Sequence, residues 1–346
     1  MRKKIKETYL ITGVAGFIGF SLALNLLKKK KNIIGLDNLN NYYDIKLKKS
    51  RLEILSKFKN FKFIKTDLTN FIALKKIFKK NKFSHVFHLA AQAGVRYSLK
   101  APEQYIKSNI NGFYNILELS KLKKIKHFIY ASSSSVYGAN KNYPFSETSN
   151  CSHPIQLYAA TKLSNEVMAH SYSSLYNLPT SGIRFFTVYG PWGRPDQALF
   201  IFTKNIIENK TINLFNYGNH TRDFTYIDDI VDGIIRIGKS IPKKNKKWDA
   251  KNPNPSFSKS PYQIYNISSN RRVKLTSYLK ILEKNLRKKA KIKYLPLQKG
   301  DVPDVSSSIN KIKSKLNYNP KVNVEIGIKK FVDWYKFYYK KWSNIQ

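Results

Sequence analysis

The chain has 346 residues, 42% of them apolar and 14% aromatic, so it can bury a substantial core as one large domain or two closely joined ones, and it is not a disordered chain. A single cysteine, Cys151, excludes an intramolecular disulfide and a cysteine-based metal cluster and fits a reducing compartment. The net charge of +42 invites a nucleic-acid reading, but ten Arg stand against 53 Lys scattered along the whole chain, which is compositional bias rather than a clustered, Arg-rich binding face.

The first segment, MRKK followed by YLITGVAGFIGFSLALNLL, mimics a signal peptide, yet Gly13, Gly16 and Gly19 interrupt it and no A-x-A-like cleavage site follows. No window reaches the ~18 unbroken apolar residues of a membrane span. A cytoplasmic protein with no membrane segment is expected. Short apolar runs then alternate with helical patterns. Strands are expected over 8–13, 32–37, 61–67, 85–90, 127–132 and 180–186, and helices over 17–30, 44–57, 71–80, 103–123 and 155–176. This rhythm means an α/β protein: a doubly wound parallel sheet of the Rossmann type, covered by helices on both faces. Past residue 187 the rhythm breaks, Pro and Gly become frequent, and 242–261 reads as a polar loop. Residues 1–186 are therefore expected to form a nucleotide-binding domain. Residues 187–346 should form a smaller mixed α/β domain for substrate, with segments near 224–238 and 263–269 returning to the first.

The stretch TGVAGFIG carries Gly13, Gly16 and Gly19 between a strand and a helix. Glycines there let the backbone turn tightly and approach a pyrophosphate, which would sit at the helix N-terminus. Asp37 closes the second strand, 18 residues after Gly19, where a carboxylate accepts from a ribose hydroxyl. No Arg stands beside it in sequence, which favours NAD over NADP. Asp67, at the end of the third strand, is placed to reach the adenine end.

In LYAATK, residues 157–162, Tyr158 and Lys162 share a helix face. A free phenol has pKa ~10, and bringing it near neutrality requires stabilising the phenolate by about 4 kcal/mol. The Lys162 ammonium and the positive charge of an oxidised nicotinamide ring are the expected sources. A third group must fix the substrate hydroxyl, and ASSSSVYG, residues 131–138, leaves the carboxyl end of the fifth strand, where ligands bind in open α/β sheets.

Together these residues resemble the extended short-chain dehydrogenase/reductase family, and within it the nucleotide-sugar epimerases, closest to bacterial UDP-glucuronate 4-epimerases. The resemblance is carried by TGVAGFIGF, GLDNLNNYYD, HLAAQAGVRYSLKAPEQYIKSNINGFYNILE, YASSSSVYGAN, LYAATKLSNEVMAHSYSSLYNLPTSGIRFFTVYGPWGRPDQALF, RDFTYIDDIVDGI and LPLQKGDVPD, and covers nearly the whole chain. It implies that Tyr158 takes the proton of the sugar's 4-hydroxyl while C4 gives hydride to NAD+, that Ser133 hydrogen-bonds the same oxygen, and that the 4-keto sugar turns about its diphosphate tether before hydride returns to its other face and the configuration at C4 is inverted. It implies cofactor contacts from Phe17, Ile18, Asn38, Leu68, Leu89, Ala90, Ala91, Ser132 and Phe185, with Lys162 on the nicotinamide ribose and Asn109 ordering the site. For the substrate it implies Ser134, Thr187, Ala198, Leu199, Phe200 and Phe215, with Arg222 on the diphosphate and Asp301 on the uridine ribose. Arg194 and Arg96 are candidates for a uronate carboxylate, which a guanidinium fork suits; Arg96 is also a candidate for a phosphate. Related dehydratases and decarboxylases carry acidic residues just after the position of Ser133; here Ser134 and Ser135 stand there, which leaves a second acid–base step without its player.

Some positions depart from the family pattern. Gln298 stands where some epimerases place Arg, and DVSSSINK has Ser where relatives often carry Asp. Glu118 and Arg184 are expected to be structural. His85, His88, His127, His153, His170 and His220 show no ligand spacing, so no metal is expected. By family similarity, helices 103–123 and 155–176 should pack against their copies in a homodimer. The alternatives are a UDP-glucose or UDP-N-acetylhexosamine 4-epimerase, a UDP-glucuronate decarboxylase, or a non-catalytic NAD- or nucleic-acid-binding module on the same scaffold.

Overall fold

In the computed structural model, which describes residues 7–343, regular elements follow one another as the alternation requires. In chain order they are β1 (Thr8–Thr12), α1 (Phe17–Lys28), β2 (Asn32–Asp37), α2 (Ile45–Ser56), β3 (Phe61–Lys65), α3 (Phe71–Lys80), β4 (Phe83–His88), α4 (Pro102–Tyr105), α5 (Gly112–Leu122), β5 (His127–Ser133), α6 (Leu157–Tyr176) and β6 (Thr180–Phe185). There follow β7 (Thr187–Tyr189), α7 (Ala198–Ile207), β8 (Thr211–Leu214), β9 (Thr221–Tyr226), α8 (Ile227–Lys239), β10 (Tyr262–Ile267), β11 (Arg272–Lys274), α9 (Leu275–Leu286), β12 (Lys291–Tyr294), α10 (Asn310–Leu316) and α11 (Val324–Ser343).

Seven strands form one sheet in the order β3-β2-β1-β4-β5-β6-β10, every neighbouring pair parallel. The order reverses between β1 and β4, the switch point at which open α/β sheets leave a crevice for ligands. Strand periodicity explains the two-sided core. Leu10, Val86 and Phe128 face a cluster completed by α3, α5 and α6, whereas Ile11, Phe87 and Ile129 face one completed by α1, α2 and α8. The segment expected to return near 263–269 supplies β10, paired with β6 from Tyr262↔Thr180 to Ile267↔Phe185. Of the segment near 224–238, α8 covers the large sheet, while β9 belongs to a separate three-stranded sheet with β7 and β11. Residues 242–261 carry no helix or strand.

The helix expected over 103–123 is not continuous. A π-helical turn, Ile106–Asn111, separates α4 from α5. A wider turn frees backbone groups from the α-helical ladder, and such bulges cluster at functional sites. Here the freed carbonyl of Asn109 accepts from Asn165 Nδ2 at 2.6 Å. The helix expected from 155 starts at Leu157, because Gln156 is extended at φ −135°.

Candidate active site

The carboxyl ends of β1, β2, β4, β5 and β6 open into a cleft of about 920 Å³ that continues under the loops after β7. That volume sits at the upper end of small-molecule sites, ~300–1,000 Å³. Gly13, at φ +71°, begins the turn into α1, a conformation glycine tolerates best. A Cβ on Gly19 would lie 2.1 Å from the Gly13 carbonyl oxygen, so the first helical turn packs directly on the loop. The result is a bare backbone cradle at a helix N-terminus, which fits a pyrophosphate. Asp37 accepts from the amides of Ala15 at 3.1 Å and Leu39 at 2.9 Å; burial pushes its carboxyl up, and these amides oppose it. The fold brings Lys48 and Arg51 near Asp37, which sequence proximity does not reveal. Lys48 donates to Asn40 and Arg51 to backbone carbonyls, so neither is an idle receptor for a 2′-phosphate. Asp67 is held on the cleft by Asn38 Nδ2 at 2.7 Å and by Thr69.

At the end of β5, Ser132, Ser133, Ser134 and Ser135 all line the cleft, opposite Tyr158 and Lys162 on α6. Burial raises the Tyr158 phenol above its ordinary value, opposed by a hydrogen bond with Ser133 and by the Arg194 guanidinium. Lys162 lies on the same wall of the cleft as Tyr158. Its ammonium is buried, is pushed down to about 7 with only Glu166 opposing, and donates at 2.8 Å to the Ala131 carbonyl at the β5 end. Lys162 thus ties α6 to the end of β5, and Ser133 and Arg194 ease ionisation of Tyr158. Behind them lies a buried relay: Glu166 accepts from Ser132 Oγ and forms a two-pronged pair with Arg184, at 2.9 and 2.8 Å. Arg184 is structural, as expected; so is Glu118, which binds Lys121 and Tyr172.

Under the later loops, Arg194 reaches the cleft already paired. Its Nε donates to Asp196 Oδ1 at 3.0 Å and its Nη2 to Asp196 Oδ2, while Tyr42 donates to the same carboxylate at 3.0 Å. Burial works against the Arg194 charge, but Asp196 outweighs it. Arg96, expected on a carboxylate or phosphate, lines the cleft and pairs with Asp301 at 2.9 Å, its guanidinium 4.9 Å above the Phe215 ring. Arg222 lines the cleft beside them and donates to the Pro303 carbonyl at 2.7 Å; His220 is buried at the same end with Nδ1 unpaired.

Of the residues expected to contact cofactor or substrate, Phe17, Ile18, Leu68, Leu89, Ala90, Ala91, Phe185, Thr187, Ala198, Phe215 and the glycines all border this cleft. Three do not. Leu199 and Phe200 turn their side chains into the core, Phe200 against Phe331 and Tyr335, because the apolar stripe of α7 faces inward. Asn109 lies one layer behind, bonded to Gln92 through both its amide groups and to Thr161 at 3.1 Å. Gln298 lies off the cleft, and Ser307 donates at 2.7 Å to buried Asp223. Sequence reasoning missed Glu166, Tyr42, Lys48 and Asp196; the first could have been found as the next i+4 step after Tyr158 and Lys162. Among the described residues no three His, Cys, Asp or Glu side chains gather as a metal site, and no helix is long and apolar enough to cross a membrane.

A glycine cradle at the switch point, with a tyrosine and a serine hydroxyl facing it, defines an enzyme that does dinucleotide-dependent redox chemistry on an alcohol. The sequence pattern of the NAD dependent epimerase/dehydratase family matches residues 9–249. The chain belongs to that family and is an NAD-dependent enzyme. It is 51% identical over 332 residues to the Staphylococcus aureus protein CapI, covering 96% of this chain and 99% of that one. It is 44% identical to UDP-glucuronate 4-epimerase 5 of Arabidopsis thaliana, covering 96% and 76%. The solved UDP-glucuronic acid 4-epimerase of Bacillus cereus, crystallised with UDP-glucuronic acid and NAD, superposes with a TM-score of 0.86 at 33% identity, over 96% of this chain and all of that one.

Proposed function

We propose that this NAD-dependent UDP-sugar 4-epimerase interconverts UDP-glucuronate and UDP-galacturonate. The observation that carries the reading is the set of groups around Tyr158. The carboxylates lining the cleft are Asp37, Asp67, Asp196 and Asp301, and the β5 end carries serines alone. Asp37 and Asp67 lie at the cofactor's adenosine end. Asp196 is kept ionised by Arg194, and Asp301 is paired with Arg96. Among the described residues no cleft carboxylate beside Tyr158 is thus poised for a second proton transfer, which dehydration requires and epimerisation does not.

In this reading the glycine cradle, Asp37 and Lys162 hold the cofactor, which supplies a reversible two-electron acceptor for C4. Ser133 holds the 4-hydroxyl, and Tyr158 accepts its proton and later returns it. The keto sugar turns about its diphosphate, gripped by Arg222, with Asp301 on the uridine ribose. Arg194 spends Nε and Nη2 on Asp196, which leaves the Nη1 protons for a uronate carboxylate. Ser134 and Thr187 add hydroxyl donors beside it. Incubation with UDP-glucuronate, UDP-glucose and UDP-N-acetylglucosamine, followed by separation of products, tests the choice. Inversion of UDP-glucose with UDP-glucuronate untouched would select the other epimerase class.

The same reading places the enzyme in the cytoplasm as a homodimer. Cys151 is unpaired, with its thiol pushed up to about 11 by burial. Tyr114 and Leu122 on α5 and Val167, Leu175 and Tyr176 on α6 are exposed apolar side chains, which suits helices meeting their copies.

A further inference from the structure

Arg51, on α2, is fully buried, and its four hydrogen bonds all go to neutral oxygens. Nη1 donates to the Ala15 carbonyl at 2.7 Å and to the Tyr43 hydroxyl at 2.8 Å. Nη2 donates to the carbonyls of Trp192 at 2.6 Å and Gly193 at 3.2 Å. A buried guanidinium whose hydrogen bonds all end on carbonyls and a phenol, with the Asp37 carboxylate near enough to be felt but not hydrogen-bonded to it, is expensive compared with a directly paired one, so its placement asks for a reason.

The two ends of the fork provide it. Ala15 lies inside the glycine cradle, between Gly13 and Gly16. Trp192 and Gly193 immediately precede Arg194. Trp192 is held at φ +64°, a left-handed conformation that a bulky residue adopts only when its surroundings impose it. Its carbonyl is the shorter Nη2 contact, so the fork clamps the strained residue directly. The rest of this loop is tied by Asp196 to Tyr42, next to Tyr43 in the loop that follows β2.

We propose that Arg51 is a positioning residue that locks the cofactor cradle to the loop carrying Arg194, so that dinucleotide binding and sugar orientation rise and fall together. The inference rests on the epimerase reading for its sugar half only. A planar fork can bridge two separate backbone segments; an ammonium on a flexible stem is a point charge and cannot hold both.

The test compares the full-length protein with Arg51→Ala and Arg51→Lys. NAD retained through gel filtration and the thermal midpoint are read first, then KM and kcat for UDP-glucuronate, each with added guanidinium or urea. The folded Ala variant is expected to lose NAD retention and to drop in kcat/KM by roughly ten- to a hundredfold, the scale of a small misplacement. Guanidinium, entering the vacated cavity, should restore both, and urea neither. Loss without recovery by guanidinium overturns the proposal. If Arg51→Ala does not fold, Arg51→Lys decides. A folded Lys variant with impaired NAD retention and raised KM supports the lock. One that matches the wild type in both, or one that also fails to fold, overturns it. NAD retention does not depend on the sugar, so an inactive wild type that still holds NAD would discard the epimerase reading while leaving the cradle half of the lock measurable.

Discussion

Tyr158 lies where its phenol feels Ser133 and Arg194, and burial raises its pKa. Removing the hydroxyl in Tyr158→Phe removes the proton acceptor, and turnover should fall on the order of 10²–10⁴-fold with NAD still bound; product analysis beside cofactor retention checks it. Arg194→Lys keeps a charge but loses the fork, so KM for UDP-glucuronate should rise about tenfold or more while any UDP-glucose turnover is spared. Equal losses on both sugars would remove Arg194 from carboxylate recognition. At this scale local spacing singled out the glycines, Asp37, Tyr158 and Lys162, and the resemblance singled out Ser133; the structure gathers them on one cleft. The partners that govern them were not legible. Asp196 on Arg194 is two residues away, yet nothing in sequence says that the pair closes on itself rather than on a ligand. Glu166 with Arg184, and Arg51 with Trp192, join elements far apart in the chain. Burial, invisible to spacing, pushes the Lys162 ammonium down, and its donation to the Ala131 carbonyl could not be read from the sequence either.

The elements that place these groups depend on buried polar joints. In the π-helical turn, Asn109 Oδ1 accepts from the Gln92 amide at 2.8 Å and its Nδ2 donates to the Gln92 carbonyl at 3.1 Å, fixing the loop after β4 against α6. Asn109→Ala leaves both unsatisfied and should cost about 1–3 kcal/mol in chemical denaturation. At the start of β5, His127 is buried and bonds Ser181 Oγ at 2.9 Å; burial drives its pKa from the usual 6.5 to about 3. Between those values the unfolded chain binds a proton that the folded chain refuses, so stability rises with pH through the window and is lost as pH falls toward its lower end. His127→Gln should flatten that slope in urea midpoints taken across the window; an unchanged slope would show that His127 does not carry it. Strand and helix positions were readable from apolar periodicity to within a few residues at each end. The π-helical turn was not, because SNING keeps a helical pattern and the break follows from contacts with Gln92, Thr161 and Asn165.

At the scale of the whole molecule, the strand–helix rhythm made the seven-stranded parallel sheet legible up to β6. The segment near 263–269 supplies β10, whereas the separate sheet of β7, β9 and β11 was not legible, since β7 and β11 have three residues each and carry no period. The charge of +42 acts on the molecule as self-repulsion. Added neutral salt should therefore raise the thermal midpoint, as screening shortens to ~3 Å at 1 M, and a flat response would show that local pairing already offsets it. Charging the exposed face of α6 with Val167→Asp should convert a dimer to a monomer in light scattering; a monomeric wild type would remove the dimer. The account turns on reversible oxidation at C4 through Tyr158, and one incubation addresses it most directly. Purified protein given UDP-glucuronate and no added NAD is predicted to yield UDP-galacturonate, with Tyr158→Phe silent beside it. UDP-glucuronate recovered unchanged from NAD-loaded protein, or inversion by the Phe variant at the wild-type rate, would contradict it.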